Sequence, residues 1–68
     1  MIWTRHKHVP APRNKLLHLM CYDGTTFVGG LIFYKRFWYF ARATSSIKNK
    51  TVKLVVDDVY DVSHWSEI

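Results

Sequence analysis

Apolar residues in this chain recur with the two-residue period of β-strands, and no segment sustains the 3.6-residue period of a helix. The alternation is clearest where Val52, Leu54 and Val56 are separated by single residues. Little helix is therefore expected. The pattern predicts strands over residues 15–22, 25–34, 37–43, 51–56 and 59–65.

Short polar breaks separate these strands. Asp23-Gly24 is a strong hairpin signal, because glycine readily adopts the positive φ that tight turns require. Lys35-Arg36 is a candidate turn that lacks the usual glycine or asparagine. Residues 44–50 form a predicted polar loop, and a further turn is expected at residues 57–58.

The pair Gly29-Gly30 interrupts the longest predicted strand. Glycine inside a strand typically marks a bulge, a sharp bend or a close approach of two backbones. The fold class predicted is therefore mostly β, an antiparallel meander of four to five strands curled into a barrel-like or half-barrel sheet. Residues 1–68 are expected to form one domain, and residues 1–14 an irregular basic segment packing on the sheet.

Chain length limits the stability and the cellular setting. The core of a chain of 68 residues supplies about 3–5 kcal/mol of folding stability unless another constraint adds to it. Cys21 is the only cysteine, so an intramolecular disulfide is impossible and a reducing cytoplasm is predicted. No signal peptide is expected, and the most apolar stretch falls short of the roughly 20 residues that cross a membrane.

Charge is distributed unevenly. All ten lysines and arginines precede residue 57, where Asp23 is the only acid, whereas the last twelve residues contain acids and no base. A basic surface indicates an acidic protein partner or a nucleic acid. The alternative is that the acidic end pairs with basic neighbours across the sheet.

Residues capable of metal binding or catalysis are few. His6 and His8 would share one strand face, but the paired ligand spacings of zinc sites are missing. Cys21 lies in an apolar strand, where it is expected to act as a small core hydrophobe. The sequence therefore predicts no metal, no cofactor, no catalytic residue and no enzymatic activity.

Basic residues beside aromatic rings are the candidate binding residues. Rings and cations together can bind single-stranded nucleic acid, although rings at alternating strand positions also build cores. A protein partner is the leading prediction, with nucleic acid as the alternative and a homodimer as a further option. The candidate binding residues are Arg5, Lys7, Arg13, Tyr34, Lys35, Arg36, Arg42, Lys48 and Lys50. The candidate structural residues are Asp23, Gly24, Gly29, Gly30, His64 and Trp65.

Several short motifs together carry a family resemblance. They are Ile2-Trp3, the prolines Pro10 and Pro12 before an apolar strand, Tyr22-Asp23-Gly24, an aromatic strand with Trp38, and Val62-Ser63-His64-Trp65. This arrangement resembles the uncharacterised family called domain of unknown function 551, whose small members are common in bacteriophages and prophages of enteric bacteria. The chain departs from that family after Trp65, where a proline-containing tail is missing.

The resemblance implies a phage or prophage accessory protein and carries no catalytic residues. The leading functional prediction is a protein that binds and modulates, by inhibition, a host protein such as a defence or nucleic-acid-processing factor. It would act in the cytoplasm of a bacterial host cell. The alternative is a small basic β-barrel that binds nucleic acid directly. His64 and Trp65 are expected to be structural, with Trp65 holding the last strand on the first hairpin.

Overall fold

A computed structural model describes residues 1–45 and 52–68 of the protein. These residues contain no helix and form a single six-stranded sheet. The mostly β prediction is therefore confirmed. The strands are β1 (Thr4–Arg5), β2 (Leu17–Cys21), β3 (Thr26–Tyr34), β4 (Phe37–Ser45), β5 (Val52–Val55) and β6 (Val62–Glu67). Residues 44 and 45 of the predicted polar loop belong to β4, and the rest of that loop lies outside the described residues.

The strands lie in the order β1-β6-β2-β3-β4-β5, and every neighbouring pair is antiparallel. The predicted meander extends over β2 to β5, whereas β6 returns to lie between β1 and β2. Within residues 1–45 and 52–68, the edge strands β1 and β5 do not pair with each other, so the sheet is open rather than closed into a barrel. The last strand begins at Val62, three residues later than predicted, because β6 aligns with β2.

The N-terminal segment contains one element that the sequence did not indicate. Thr4 and Arg5 pair with Trp65 and His64, which adds a sixth strand to the predicted four or five. The following residues cross the sheet and place Ala11, which is only 5% exposed, in the core. This segment is therefore only partly irregular, because pairing with β6 satisfies the backbone hydrogen bonds of its first residues.

The core lies under the centre of the sheet, on β2. Leu17 and Leu19 are completely buried, because β2 has β6 on one side and β3 on the other. Ala11 and Val62 complete the buried cluster. Larger side chains that are only partly buried pack against it, namely Phe27, Leu31, Phe40, Tyr60 and Trp65. The indole Nε1 of Trp65 also donates a 2.8 Å hydrogen bond to the carbonyl oxygen of Val9.

The β2–β3 hairpin turns as its sequence predicts. The N–H of Gly24 donates to the carbonyl oxygen of Cys21 at 3.0 Å. The N–H of Cys21 donates to the carbonyl oxygen of Thr25 at 2.8 Å. Gly24 has a φ of 90°, which a side chain would strain. The Asp23 carboxylate accepts the Thr25 N–H, and this bond lowers the pKa of Asp23. A three-residue loop therefore joins these strands.

The glycine pair allows a close approach of backbones inside the sheet. A Cβ at Gly29 would lie 2.0 Å from the Ala41 carbonyl oxygen, and one at Gly30 would lie 2.5 Å from that of Lys15. β5 also curls back toward β3, which brings Leu54 close to Gly30. The irregular register is in another place, between Met20 and Cys21. Of the three roles that the sequence left open, close approach is observed at both glycines, and no register shift lies at this pair.

Candidate functional site

The β3–β4 hairpin ends in a group of exposed aromatic and basic residues. We call the six residues from Phe33 to Trp38 the tip surface. Phe33 is 62% exposed and Phe37 is 65% exposed, although both are large apolar side chains. Tyr34 and Trp38 are also exposed. The register places Phe33 and Trp38 on one face of the hairpin and Tyr34 and Phe37 on the other. Exposed large apolar side chains grouped at one end of a small protein typically mark an interaction site.

The turn of this hairpin is strained. Tyr34 pairs with Phe37, so only Lys35 and Arg36 form the loop. Their φ angles are 48° and 72°, and positive φ at both positions is typical of a type I′ turn. This turn normally contains Asn-Gly, because other side chains crowd the backbone there. The predicted turn is therefore present, but with residues that fit it poorly.

Cross-strand pairing holds the aromatic rings of the hairpin in place. Phe33 and Trp38 face each other in the register, and their ring centroids are 5.4 Å apart. The ring of Tyr39 lies 6.3 Å from that of Tyr34 and 6.5 Å from that of Phe37. Rings in mutual contact lose little further freedom on binding. These contacts restrict the rotamers that the rings can adopt before any partner binds.

Two cations lie directly on these rings. The guanidinium carbon of Arg13 is 4.2 Å from the centre of the Trp38 ring, and Nζ of Lys35 is 5.3 Å from the centre of the Tyr34 ring. Both distances are within the range of a cation–π interaction. Arg13 belongs to the N-terminal segment, so the fold adds a distant basic residue to the hairpin.

Carboxylates gather at the opposite end of β3. Asp23, Asp58 and Asp61 line a shallow groove there together with Cys21. β3 has nine residues and spans about 30 Å, so the acidic and basic ends of the sheet are well separated. Burial raises the pKa of the Cys21 thiol, and Asp23 and Asp61 raise it further. The thiolate form of Cys21 is thereby disfavoured.

Arg42 is bound within the chain. Its Nε and Nη2 donate to one carboxylate oxygen of Asp57 at 2.9 and 2.7 Å. The Tyr60 hydroxyl donates to the other oxygen at 2.6 Å. The Tyr60 and Arg42 hydrogen bonds lower the pKa of Asp57, and the pKa values of Arg42 and Tyr60 are raised in return. Here an acid of the C-terminal segment pairs with a basic neighbour, as one of the two charge interpretations predicts.

The other candidate binding residues are dispersed. Arg5 is in β1, three strands from β3 in the sheet order, and Lys7 is exposed in the turn that follows it. Lys48 and Lys50 lie outside the described residues. The structure therefore brings together Arg13, Tyr34, Lys35 and Arg36, and it separates Arg5, Lys7 and Arg42 from them.

Phe33 is missing from the predicted binding residues, and the sequence indicated Phe37 and Trp38 only as rings next to Lys35 and Arg36. These three residues make up half of the tip surface. Their exposure follows from the unequal lengths of β2 and β3. β2 starts at Leu17 opposite Gly29, so the end of β3 extends beyond it. The positions of the two turns predicted the β3–β4 hairpin. The sequence did not show that β2 fails to extend to the turn of that hairpin.

Two of the four histidines, His6 and His64, have structural contacts. Nδ1 of His6 accepts the N–H of Ala11 at 2.9 Å, and Nδ1 of His64 lies 2.8 Å from the Ser63 hydroxyl. Within residues 1–45 and 52–68, no three histidine, cysteine or acidic side chains converge on a possible metal position. In the same two ranges, no helix has the length and apolar character needed to cross a membrane.

Comparison of the chain with protein-family models, curated proteins and solved structures found no match. The resemblance to the domain of unknown function 551 stays a prediction that rests on its short motifs. Function is therefore inferred from the chemistry of the tip surface.

Proposed function

We propose that this protein binds an acidic region of a partner protein through the tip surface. The observation that carries this proposal is the group of exposed, mutually packed rings next to Lys35 and Arg36. Tryptophan, tyrosine and arginine are the residues that contribute most to protein interfaces. Arg13, Lys35 and Arg36 supply charge complementary to carboxylates on the partner.

The arrangement of the rings favours a protein over stacked bases. Arg13 lies over the Trp38 ring and Lys35 over the Tyr34 ring, and the rings also contact one another at steep angles. Base stacking requires an open ring face. Apolar side chains of a protein can pack against ring edges, so they fit this surface better.

The strained turn supports a role in binding. A left-handed conformation costs about 1–2 kcal/mol for each ordinary residue, which is substantial for so small a core. Strain of this kind is typically retained where function requires the residues that carry it. Lys35 and Arg36 are poor choices for the turn but appropriate choices for a basic binding surface.

Replacing the turn residues together, as Lys35→Asn with Arg36→Gly, is expected to stabilise the fold and weaken binding. The new pair suits a type I′ turn, so the free energy of unfolding should rise by about 1–2 kcal/mol. Urea unfolding measures this change. The reversed pair, Lys35→Gly with Arg36→Asn, removes the same charges and serves as a control for turn geometry. A stability that stays the same or falls in the Asn-Gly variant would show that the native turn is not strained.

The partner proposed is a host protein that this chain inhibits, such as a defence or nucleic-acid-processing factor in the bacterial cytoplasm. This part of the proposal is supported by the family resemblance of the sequence. The tip surface supports only the chemistry of the contact. The partner's surface would offer apolar side chains to the rings and carboxylates to the basic residues.

Phe37→Ala is expected to weaken partner binding by about 30-fold, the effect of losing an interface hot spot. The wild-type chain, immobilised and incubated with nuclease-treated lysate of enteric bacteria, should retain a protein whose affinity is then measured. Tyr22→Ala is the matched control, because Tyr22 is a similarly exposed ring at the opposite end of β3. Equal loss of binding in both variants, or in neither, would contradict the proposal.

Nucleic acid is the second candidate, favoured by the three cations that accompany the rings. In that case, nuclease treatment removes the retained material, and affinity for an oligonucleotide falls steeply with salt. Replacing Lys35 and Arg36 by alanine would then reduce the slope of log affinity against log salt by about 2 and weaken all sequences equally. No binding at low salt would exclude this candidate.

A further inference from the structure

We propose that the β3–β4 hairpin inserts into a cleft of the partner protein, so that each of its two faces contacts one wall of the cleft. This mode of contact rests on the proposed function, because the tip surface is the site that binds the partner. Both faces of the hairpin carry exposed rings and a cation. A flat partner surface would cover only one of these faces.

The end of the hairpin is a two-stranded ribbon. β2 begins opposite Gly29, and β5 pairs only with residues 42–45 of β4. In the described part of the chain, no third strand therefore lies beside the residue pairs that β3 forms from Leu31 to Tyr34. At about 3.4 Å per residue, this ribbon extends about 10 Å beyond the flanking strands. A ribbon of this kind can be contacted on both faces.

The two faces of the ribbon are alike in their rings. Phe33 and Trp38 lie on one face, and their rings contact each other. Tyr34 and Phe37 lie on the other face, where the ring of Tyr39 contacts both of them. Phe33 is 62% exposed and Phe37 is 65% exposed. Each face therefore presents a phenylalanine that is more than half open to solvent.

One face of the ribbon borders a groove of the chain itself. Phe33 and Trp38 line this groove together with Val52 and Leu54 of β5. The exposure of Phe33 nevertheless almost equals that of Phe37 on the other face. The groove therefore does not cover the ring of Phe33, and a partner can contact this ring directly.

Each face also has its own cation. The Arg13 guanidinium lies over a ring of the first face, and the Lys35 ammonium lies over a ring of the second. All five acidic residues of the chain lie within the described residues, and their ion pairs there are with Lys15 and Arg42. Arg13 and Lys35 therefore have no carboxylate partner within the chain. Carboxylates on both walls of the cleft would complement them.

These observations define the partner surface that fits the ribbon. Packed protein layers lie about 10 Å apart, so the walls of the cleft would be about 20 Å apart between their backbones, with the ribbon between them. Each wall would present apolar side chains to the rings and at least one carboxylate to the cation of its face. The partner is therefore a protein with an acidic cleft that is apolar inside.

Phe33→Ala and Phe37→Ala are a matched pair of variants, because the two residues are of one type and almost equally exposed on opposite faces. Each variant is expected to weaken binding by about 30-fold. Surface plasmon resonance measures this loss with the protein that the immobilised wild-type chain retains from nuclease-treated lysate. Tyr22→Ala, at the opposite end of β3, should bind as the wild-type chain does. Circular dichroism confirms the folding of every variant first.

The outcomes separate the cleft from the proposed function. If Phe37→Ala weakens binding and Phe33→Ala does not, the partner covers one face only. The cleft is then overturned, whereas the proposed function stands. If Phe37→Ala binds as tightly as the wild-type chain, both are overturned.

Photo-cross-linking tests contact with both faces while it keeps an aromatic ring at each position. Photoreactive p-benzoylphenylalanine replaces Phe33 in one chain and Phe37 in another, and each chain is irradiated in lysate of enteric bacteria. We expect both chains to cross-link to the same protein, through two different peptides that belong to the two walls. Cross-linking from one position only, or to two different proteins, would overturn the cleft. The major groove of DNA also admits a two-stranded ribbon, so a product that nuclease removes would overturn it as well.

Discussion

Leu19→Ala is expected to leave much of the chain unfolded at 25 °C. Leu19 is completely buried in β2 and lies opposite Phe27 on one neighbouring strand and Trp65 on the other. Truncation of such a leucine costs about 2–5 kcal/mol. A core of this size supplies only about 3–5 kcal/mol in total, so the loss is comparable to the whole stability.

Leu16→Ala is the matched control for this prediction. Leu16 lies just before β2 and is 40% exposed, so the same truncation should cost about 1 kcal/mol or less. Urea unfolding followed by circular dichroism measures both variants against the wild-type chain. If Leu19→Ala unfolds no more readily than Leu16→Ala, β2 is not the centre of the core.

Gly29→Ala is expected to produce the second large loss, about 3 kcal/mol, at the upper end of the cost of overpacking. The added methyl group would lie 2.0 Å from the Ala41 carbonyl oxygen, which belongs to the backbone of β4. Gly29 also pairs with Leu17 in β2, so β3 has a strand on each side. Relief of the clash would require neighbouring strands to separate and lose hydrogen bonds.

Gly24→Ala distinguishes this effect from the general cost of replacing a glycine. No atom lies within 4 Å of a Cβ at Gly24, and the only penalty is its φ of 90°. That penalty is about 1–2 kcal/mol, smaller than the one expected at Gly29. Thermal or urea unfolding orders the two variants. A Gly24→Ala variant less stable than Gly29→Ala would refute the proposed close approach of β3 and β4.

Local pattern was sufficient for the central hairpins. Alternation together with the turn signals predicted β2, β3, β4 and β5 to within a few residues, because adjacent strands joined by short turns pair almost automatically. The two turns lie where the sequence predicts them, with Gly24 in the first and Lys35-Arg36 in the second. Four of the candidate binding residues also came together, three of them in the hairpin turn or directly beside it.

The pairing of distant segments could not be predicted in the same way. β1 and β6 lie about sixty residues apart, and they pair because β6 returns to lie beside β2 and presents its other edge to β1. Thr4–Arg5 is too short to produce an alternating pattern of its own. The contact of Arg13 with Trp38 and the bond between Arg42 and Asp57 likewise depend on how the chain returns across the sheet.

The sequence by itself determined that this chain is mostly β, where its tight turns lie and that it cannot form an intramolecular disulfide. These properties depend on the alternation of neighbouring residues, on the backbone freedom of Gly24 and on a count of cysteines. Only the tertiary structure decided that the rings at the end of β3 face outward and that Arg42 is bound to Asp57, whereas Arg13 joins the rings. Exposure depends on which strands lie beside a residue, and β2 starts opposite Gly29, so in the described part of the chain no strand on that side of β3 reaches the tip surface.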